Sequence, residues 1–366
     1  MINLKTKIQS ECLEAVKDYS RAGVVLGTGT GKTLLGIKHM AKQWDPYALF
    51  LVVAPKVSVF NEWQKQCIEH GFEYLIDNIE FTTYLSLNKK NPSDYRHIYL
   101  DECHNLKFSH DKFLRNYHKG IIGLTGTYPV YQSDERYKMC EKYCPIKYEY
   151  NVTEGIEDDI LNDYTIILHP LNLSNDYNIP TSKGKMMSEQ SIYNMWSNMV
   201  ANAAGKQKQM NSIIRMKKIQ SFTTKINYIE KMLKAVKDEK VLVFMESKEN
   251  CQKISKHTYF SGNKKSDQNL ELFAKGDVKV LTTIKQLAEG INIPKLKIGI
   301  IQHAYANERL LPQKVGRFLR LNPQDKAIIH ILYYKNTIDE EWLKSSLKHL
   351  NHKNIKVYGK TTSSHQ

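Results

Sequence analysis

The chain has 366 residues, 41% of them hydrophobic and 25% charged, which is typical of a globular protein long enough for two domains. No apolar run approaches the roughly eighteen residues of a membrane helix, and the first residues do not resemble a signal peptide, so we expect a cytoplasmic protein. The formal net charge of +15 favours a polyanion as partner over a membrane.

The first part of the chain alternates apolar runs with helical segments. The predicted strands cover residues 24–26, 49–54, 98–100 and 121–124, and the predicted helices cover residues 8–16, 34–42, 59–70 and 112–117. This alternation predicts an α/β fold with a parallel sheet covered on both faces. It lapses near residue 150, so we assign residues 1–150 to a first domain and the acidic stretch 151–165 to a linker.

A glycine-rich loop follows the first predicted strand. Residues 26–33 read LGTGTGKT, with Leu26 where the strict phosphate-loop pattern has glycine. The backbone amides of such a loop surround phosphate oxygens, and the loop aims a helix N-terminus at the same anion. Lys32 is expected on the β- and γ-phosphates of a nucleotide, and the Thr33 hydroxyl on Mg²⁺. The expected phosphate-binding residues are Gly27, Thr28, Gly29, Thr30, Gly31, Lys32 and Thr33.

An acidic pair stands at the end of a later apolar strand, in the run LDECH at residues 100–104. Asp101 is expected to hold the metal together with Thr33, and Glu102 to polarise the attacking water. The loop and the acidic pair together predict hydrolysis of a nucleoside triphosphate, with ATP and Mg²⁺ as cofactors.

A basic, helix-forming segment follows the linker. Residues 183–237 carry 11 lysine and arginine side chains against Glu189 and Glu230, and Gly205 is the expected break between helices. Residues 1–150 carry 20 basic and 17 acidic side chains, whereas the remainder carries 33 and 21, so the positive charge is concentrated in the second half. This distribution favours a surface that faces nucleic acid, with a solvated helical face as the alternative.

The strand and helix alternation resumes after the basic segment. Strands are predicted at residues 164–173, 241–244, 278–281, 298–301 and 327–332, and a closing helix at residues 338–350. We assign residues 166–350 to a second domain, with the basic segment as its insertion, and residues 351–366 to a polar tail. This second half contains no phosphate loop of its own.

The six cysteines are scattered, and only Cys140 and Cys144 lie close together. Without a matching second pair, reduced structural thiols are favoured, and a zinc site is the alternative. The thirteen histidines are scattered as well, which favours structural roles.

Short motifs in a fixed order resemble those of the superfamily 2 helicases and translocases over nearly the whole chain. They are VAPK at residues 53–56, TTY at 82–84, DECH at 101–104, TGT at 125–127, VLVF at 241–244, EGINIP at 289–294 and QKVGRFLR at 313–320. The resemblance implies two tandem RecA-like domains with parallel sheets and an ATP site in the cleft between them. Most members have aspartate where this chain has Asn292. In this respect the chain resembles the Snf2-like branch and compact phage-encoded helicases.

The resemblance also implies roles for single residues at the ATP site. Gln9 would read adenine, Gly290 and Asn292 would lie near the ribose, and four residues would couple hydrolysis to nucleic acid. These coupling residues are His104, Thr125, Gly126 and Thr127. The implied catalytic set is Lys32, Asp101, Glu102, Gln313, Arg317 and Arg320. Independently of the resemblance, Arg317 and Arg320 are spaced to share one face of a helix, from which they could stabilise charge on a γ-phosphoryl group.

Two groups of residues are expected to contact nucleic acid. The motifs imply Lys56, Thr83, Tyr84, Ser247 and Thr283, although Ile284 stands where the family has the threonine of this last motif. The charge pattern adds Lys206, Lys208, Arg215, Lys217 and Lys218. Four aromatic residues of the basic segment could stack on bases, but their helical spacing favours core packing; they are Tyr193, Trp196, Phe222 and Tyr228.

The predicted function is an ATP-dependent DNA helicase or translocase of replication or recombination. Single-stranded, forked or branched DNA is the expected partner, RNA is the less favoured one, and a monomer is expected. An ATP-switched DNA clamp and an RNA helicase are the alternatives. If a phage encodes the chain, its location is the cytoplasm of the bacterial host.

Overall fold

A computed structural model describes residues 4–27, 30–129, 131–150, 154, 163–181, 184–284, 293, 296–304, 311, 314–315, 318 and 326–359. The chain divides into two compact units, one formed chiefly by the residues up to Asp163 and the other chiefly by those from Tyr164 onward. Each unit contains its own parallel sheet. Within the described residues, no helix has the length and apolar character needed to cross a membrane.

The sheet of the first unit has six parallel strands among the described residues. In chain order they are β1 (Arg21–Leu26), β2 (Phe50–Ala54), β3 (Ile79–Thr83), β4 (His97–Asp101), β5 (Gly120–Thr125) and β6 (Ile146–Tyr150). Their spatial order is β3-β2-β4-β5-β1-β6. β2 and β5 are buried along their whole length, as expected for parallel strands that are covered on both faces. All carboxyl ends of parallel strands lie at one edge, which is where ligands bind in such sheets.

Helices cover the two faces of this sheet. They are α1 (Leu4–Val16), α2 (Lys32–Gln43), α3 (Ser58–Glu69), α4 (Asp111–Arg115) and α5 (Glu135–Tyr143). One buried cluster packs α1, α2 and α3 against the sheet and includes Trp63. The cluster on the other side contains Tyr84, Cys103, Cys140 and Cys144.

The cysteines are buried and free, in agreement with reduced structural thiols. Burial raises the pKa of Cys12 to about 12 and that of Cys251 to about 11, so these thiols stay protonated at neutral pH. No cluster of metal-binding side chains occurs in the part of the chain that the structure describes, and the zinc alternative at Cys140 and Cys144 has no support there.

The second unit contains a seven-stranded parallel sheet and a small antiparallel pair among its described residues. The parallel strands are β7 (Tyr164–Leu171), β10 (Val241–Met245), β11 (Thr258–Tyr259), β12 (Val280–Ile284), β13 (Ile298–Ile301), β14 (Ala327–Tyr334) and β15 (Ile355–Val357), in the spatial order β11-β12-β10-β13-β14-β7-β15. The antiparallel pair is β8 (Ile179–Pro180) and β9 (Met186–Met187).

Two boundaries of the predicted domains differ from the structure. Residues 164 and 165, assigned to the linker, belong to β7, which pairs with β14 over its full length. Residues 355–357, assigned to the polar tail, form the edge strand β15 on β7. Ile355 and Val357 are the only apolar residues that β15 contributes, which is too short a pattern to stand out in a polar sequence. The other described residues of the predicted linker are Glu154 and Asp163.

The helices of the second unit include the predicted basic insertion. They are α6 (Glu189–Ala201), α7 (Gly205–Ser221), α8 (Thr224–Ala235), α9 (Lys248–Ile254), α10 (Ser266–Lys275) and α11 (Ile338–Ser346). α6 and α7 form a hairpin, and Gly205 begins α7 with φ 51°, a left-handed value that suits glycine. Of the sequence 183–237, Lys183 lies outside the described residues.

A buried ionic network joins three elements of the second unit. The Lys225 ammonium on α8 donates to the Gln302 and Leu332 carbonyls at 2.7 and 2.9 Å, and to Asp339 Oδ2 at 2.6 Å. Asp339 Oδ1 lies 2.9 Å from His303 Nδ1. All three side chains are fully buried. Because a buried charge is tolerated only when it is paired and hydrogen-bonded, this network holds α8, α11 and the end of β13 together.

Candidate functional site

The glycine-rich loop connects β1 to the first turn of α2. The Gly27 amide donates to the Tyr150 carbonyl at 3.0 Å, and the Thr30 hydroxyl donates to the Gly27 carbonyl at 2.7 Å. Gly31 has φ 95°, a left-handed conformation, whereas Gly27 does not take a positive φ. Thr28 and Gly29 lie outside the described residues. Gly27 and Thr30 are thus joined by a hydrogen bond, and Gly31 leads directly into the N-terminus of α2, where an anion is stabilised.

Leu26 and Lys32 lie at the two ends of this loop. Leu26 is fully buried in the core beneath α1 and α2, which accounts for a leucine where the strict pattern has glycine: its side chain lies in the core, away from the loop. Lys32 is the first residue of α2, and its ammonium lies 3.4 Å from the Leu26 carbonyl. The ammonium is therefore held next to the loop whose amides it is expected to assist.

The acidic pair stands at the carboxyl end of β4. Asp101 is buried, and its Oδ2 accepts a hydrogen bond from Trp63 Nε1 at 2.9 Å. The backbone carbonyl of Asp101 accepts one from the Tyr84 hydroxyl, also at 2.9 Å. Glu102 has φ 51°, a left-handed conformation that is uncommon for a residue with a side chain. Such backbone strain concentrates at functional sites, where the surrounding structure enforces it.

Glu102 contacts two of the residues that were predicted to couple hydrolysis to nucleic acid, His104 and Thr125. Glu102 Oε2 lies 3.4 Å from both His104 Nδ1 and Thr125 Oγ1. His104 Nδ1 and Thr125 Oγ1 are 2.8 Å apart. The Thr125 hydroxyl also donates to the Thr127 carbonyl at 2.8 Å, across Gly126. β4 and β5 are neighbours in the sheet, so residues about twenty positions apart in sequence meet at one edge.

Gln9 on α1 carries a buried donor. Its Oε1 accepts a hydrogen bond from the Lys38 ammonium at 2.6 Å, and burial lowers the pKa of Lys38. Gln9 Nε2 is buried and has no hydrogen-bond partner among the residues that the structure describes. An unsatisfied buried amide is costly, and it fits a ligand that presents a hydrogen-bond acceptor, as the adenine ring does.

Oxygen donors for a divalent cation come from the start of α2 and the end of β4. Thr33 lies in the first turn of α2 and supplies a hydroxyl, and Asp101 supplies a carboxylate. Mg²⁺ prefers oxygen ligands of this kind and keeps several waters. The donor set therefore fits Mg²⁺ beside a phosphate-binding loop.

The ATP-site residues that were predicted in the second domain lie outside the described residues. They are Gly290, Asn292, Gln313, Arg317 and Arg320. Four neighbours in the same motifs are described and are buried, namely Ile293, Lys314, Val315 and Phe318. Phe318 packs against Gly299, where an added Cβ would lie 2.2 Å from the ring. Ile293, Val315 and Phe318 thus belong to the core of the second unit.

Three of the residues predicted to contact nucleic acid are buried or partly buried. Tyr84 is buried in the core with its hydroxyl on Asp101, and Thr283 is fully buried in strand β12. Arg215 packs on α6, with its guanidinium 6.0 Å from the Tyr193 ring centre and Nη1 3.5 Å from Ser197 Oγ. For Tyr84 and Thr283 the prediction was wrong, because a motif match does not tell which face of a strand end is covered. Arg215 is only partly accessible.

The remaining predicted contacts are accessible to different degrees. Lys56 and Thr83 are half-buried at the carboxyl ends of β2 and β3, and Ser247 caps α9 by accepting from the Asn250 amide at 3.1 Å. The exposed ones are Lys206, Lys208, Lys217 and Lys218 on α7. The aromatic residues of the basic segment serve packing, as favoured: Tyr193 and Phe222 are buried in one core cluster that Trp196 flanks, and Tyr228 bonds His169.

Two apolar residues at the same edge as Lys56 and Thr83 were not predicted. Val57 is 66% exposed and Leu85 is 95% exposed. Each directly follows a strand-end motif, and that position is the only sequence signal that could have found them. Exposed apolar side chains of this kind can contact sugars and bases.

Two families match the chain. Residues 3–130 match the family described as type III restriction enzyme, res subunit, and residues 224–322 match the helicase conserved C-terminal domain. With the ordered motifs, these two matches support a superfamily 2 helicase, an enzyme class that hydrolyses ATP. The resemblance stated from the sequence is confirmed at this level, and the likeness to phage-encoded and Snf2-like members stays a prediction.

Individual proteins are similar to the chain as follows. The DNA 3'-5' translocase XPB2 of Sulfurisphaera tokodaii is 22% identical over 372 residues, which covers 90% of this chain and 82% of that protein. The Hef helicase domain of Pyrococcus furiosus has a TM-score of 0.48 at 16% identity, covering 94% of this chain and 97% of that one. The DNA-bound type ISP restriction-modification enzyme LlaBIII has a TM-score of 0.62 at 14% identity, over 98% of this chain and 31% of that one. This last likeness shows a shared fold, and the predicted pair of RecA-like domains is confirmed.

Proposed function

We propose that the protein is a DNA helicase or translocase that uses ATP with Mg²⁺ to move along DNA. The observation that carries the proposal is that the glycine-rich loop, Lys32 and the pair Asp101–Glu102 lie at the same edge of the first sheet. Glu102 has a strained backbone there. DNA as the substrate is supported by the similarity to a DNA 3'-5' translocase over 90% of the chain and by the exposed lysines on α7.

In the proposed reaction, the first unit binds the nucleotide and activates water. Residues 27–31 of the glycine-rich loop and the Lys32 ammonium would hold the phosphates, while Thr33 and Asp101 would hold Mg²⁺, which would supply charge stabilisation to the phosphates. Glu102 orients and polarises the attacking water, and His104 and Thr125 hold its carboxylate by the contacts described above. Gln9 selects adenine through its unsatisfied amide.

Residues of the second predicted domain complete the proposed cycle. Gly290 and Asn292 lie near the ribose, Gln313 assists hydrolysis, and Arg317 and Arg320 stabilise the charge on the transferred phosphoryl group. Arginines in this role accelerate phosphoryl transfer by about three to five orders of magnitude. Hydrolysis would then change the grip of the two units on DNA, through Lys56 and Thr83 in the first unit, and Ser247 and the α7 lysines in the second. We assign residues 1–150 and 166–350, with the strand residues 164–165 and 355–357 added to the second, to these two functional halves.

The proposed oligomeric state, location, DNA substrate and process are those predicted from the sequence. We propose that the enzyme works as a monomer in the cytoplasm, on single-stranded, forked or branched DNA, in replication or recombination. A bacterial host cytoplasm is proposed if a phage encodes it.

The substrate is tested by ATP hydrolysis with single-stranded DNA, duplex, fork and RNA at one salt concentration, because salt alone can reorder such affinities. We expect strong stimulation by DNA and a weaker effect of RNA. Stimulation by RNA above every form of DNA would replace the proposal with an RNA helicase. No stimulation by any nucleic acid would contradict it.

A further inference from the structure

Two buried aromatic residues that no motif assigns to catalysis bond the proposed metal ligand. We infer that Trp63 and Tyr84 are positioning residues that fix Asp101 for Mg²⁺ and connect it to the strand ends next to Lys56 and Thr83. The inference rests on the proposed function, because it takes Asp101 as the metal ligand. Both side chains are buried in the core, so each acts through its hydrogen bond to Asp101.

The Trp63 indole holds the carboxylate. Its Nε1 donates to Asp101 Oδ2 at 2.9 Å, and both side chains are buried. The indole cannot rotate away, because an added Cβ at Gly36 of α2 would lie 2.6 Å from Trp63 Cη2, which shows how closely ring and helix pack. The Tyr99 ring flanks it with ring centres 6.2 Å apart. The indole thus reaches from the helix of the phosphate loop to the acidic strand end.

The Tyr84 hydroxyl holds the backbone of the same residue. It donates to the Asp101 carbonyl at 2.9 Å from the start of the short 3-10 helix Tyr84–Lys89. Asp101 directly precedes Glu102, whose φ of 51° must be enforced by its surroundings. A hydrogen bond to the preceding carbonyl fixes the peptide that leads into this strained residue.

Both donors come from segments that leave the edge expected to face nucleic acid. Trp63 lies in α3, which begins just after Lys56 and the exposed Val57. Tyr84 lies between Thr83 and Leu85, the second of which is 95% exposed. If bound DNA displaces the start of α3 or the segment after β3, a single hydrogen bond transmits that displacement to Asp101. Groups that orient a metal ligand in this way typically change metal affinity or activity by about 10- to 100-fold when they are removed.

The test measures metal binding directly. Mn²⁺, a paramagnetic substitute for Mg²⁺, is titrated into the protein with ADP, and bound metal is followed by electron paramagnetic resonance. Trp63→Phe removes the donor and keeps an aromatic ring, and we expect Mn²⁺·ADP affinity to fall by about tenfold. Tyr84→Phe removes only the hydroxyl, and we expect a fall of about fivefold, the usual effect of one hydrogen bond.

A matched control separates positioning from general loss of packing. Tyr117→Phe also removes a buried hydroxyl that bonds backbone carbonyls in the first unit, those of Arg96 and Gly120. We expect it to lower thermal stability about as much as Tyr84→Phe and to leave Mn²⁺·ADP affinity unchanged. If Trp63→Phe does not fold, β-(3-benzothienyl)alanine at position 63 keeps the shape of the indole without its N–H. Unchanged Mn²⁺·ADP affinity in the folded variants, or an equal loss in Tyr117→Phe, would overturn the inference.

A second titration tests the connection to DNA. In the wild type we expect saturating single-stranded DNA to tighten Mn²⁺·ADP binding, and in Trp63→Phe we expect most of this gain to be lost. Equal gains in both proteins would overturn the connection. The positioning result needs no DNA, so it stands or fails independently of the proposed substrate.

Discussion

The two units contain parallel sheets of similar design but place their polar residues differently. In the first unit, polar side chains collect at the carboxyl edge, where Gly31 and Glu102 adopt left-handed conformations and Asp101 is held by Trp63. In the second unit, the most buried polar cluster lies inside, where Lys225 and Asp339 pair with no exposure at all. The first sheet therefore has its polar residues at the edge where ligands bind in parallel sheets, whereas the second uses its buried charges to hold its own elements together.

The largest expected effect concerns the edge of the first sheet. Glu102→Gln removes the group that polarises water while keeping the shape of the side chain, and we expect kcat for ATP to fall by about 10²- to 10⁴-fold. Nucleotide affinity should change little. Steady-state hydrolysis and ADP binding check this, with Glu149→Gln as an exposed control in the same unit. Normal turnover in Glu102→Gln would refute the assignment of this site.

The next effect concerns the interior of the second unit. Lys225→Met leaves Asp339 as a buried charge without its ammonium, which typically costs about 3–5 kcal/mol. We expect a large fall in the free energy of unfolding, measured by denaturant titration. The double change Lys225→Met with Asp339→Leu should recover much of the loss, because it removes both charges. A single variant as stable as the wild type would show that the network does not hold this unit together.

A smaller expected effect is a pH dependence of folding stability, which involves one buried histidine in each unit. Burial lowers the pKa of His39 in the first unit and of His303 in the second to about 4. A histidine of the unfolded chain titrates near 6.5, so the unfolded state binds more protons between about pH 6.5 and 4, and folding is weakened there. We expect stability from these residues to be complete above pH 6.5 and to decline by at most about 1.4 kcal/mol per pH unit for each. Stability that rises on acidification through this range would contradict their buried neutral state.

The smallest effect concerns the outer surface of the second unit. Lys217→Gln with Lys218→Gln removes two exposed charges from α7, and we expect the slope of DNA affinity against salt to fall by about 1.4 to 1.8. Basal ATP hydrolysis should be unchanged. Lys264→Gln with Lys265→Gln removes an equally exposed pair elsewhere in the unit and serves as the matched control. Equal slopes in the two double variants would show that α7 does not face DNA.

Local patterns allowed much of the fold and of the ATP site to be predicted. The loop at Gly27–Thr33 and the pair Asp101–Glu102 each lie within a few consecutive residues, so their chemistry can be read directly. Trp63 could not be predicted, since its bond to Asp101 spans 38 positions and its spacing on α3 is that of any core residue. Tyr84 was predicted in the wrong role because a strand-end motif does not report burial. The strand β15 was missed because it contains only three residues.

The central claim, movement along DNA at the expense of ATP, is tested most directly by displacement of a third strand from a DNA triplex. The account predicts ATP-dependent displacement by the wild type and none by Glu102→Gln, although that variant still binds DNA. DNA-stimulated hydrolysis without any displacement would contradict translocation and leave an ATP-switched clamp.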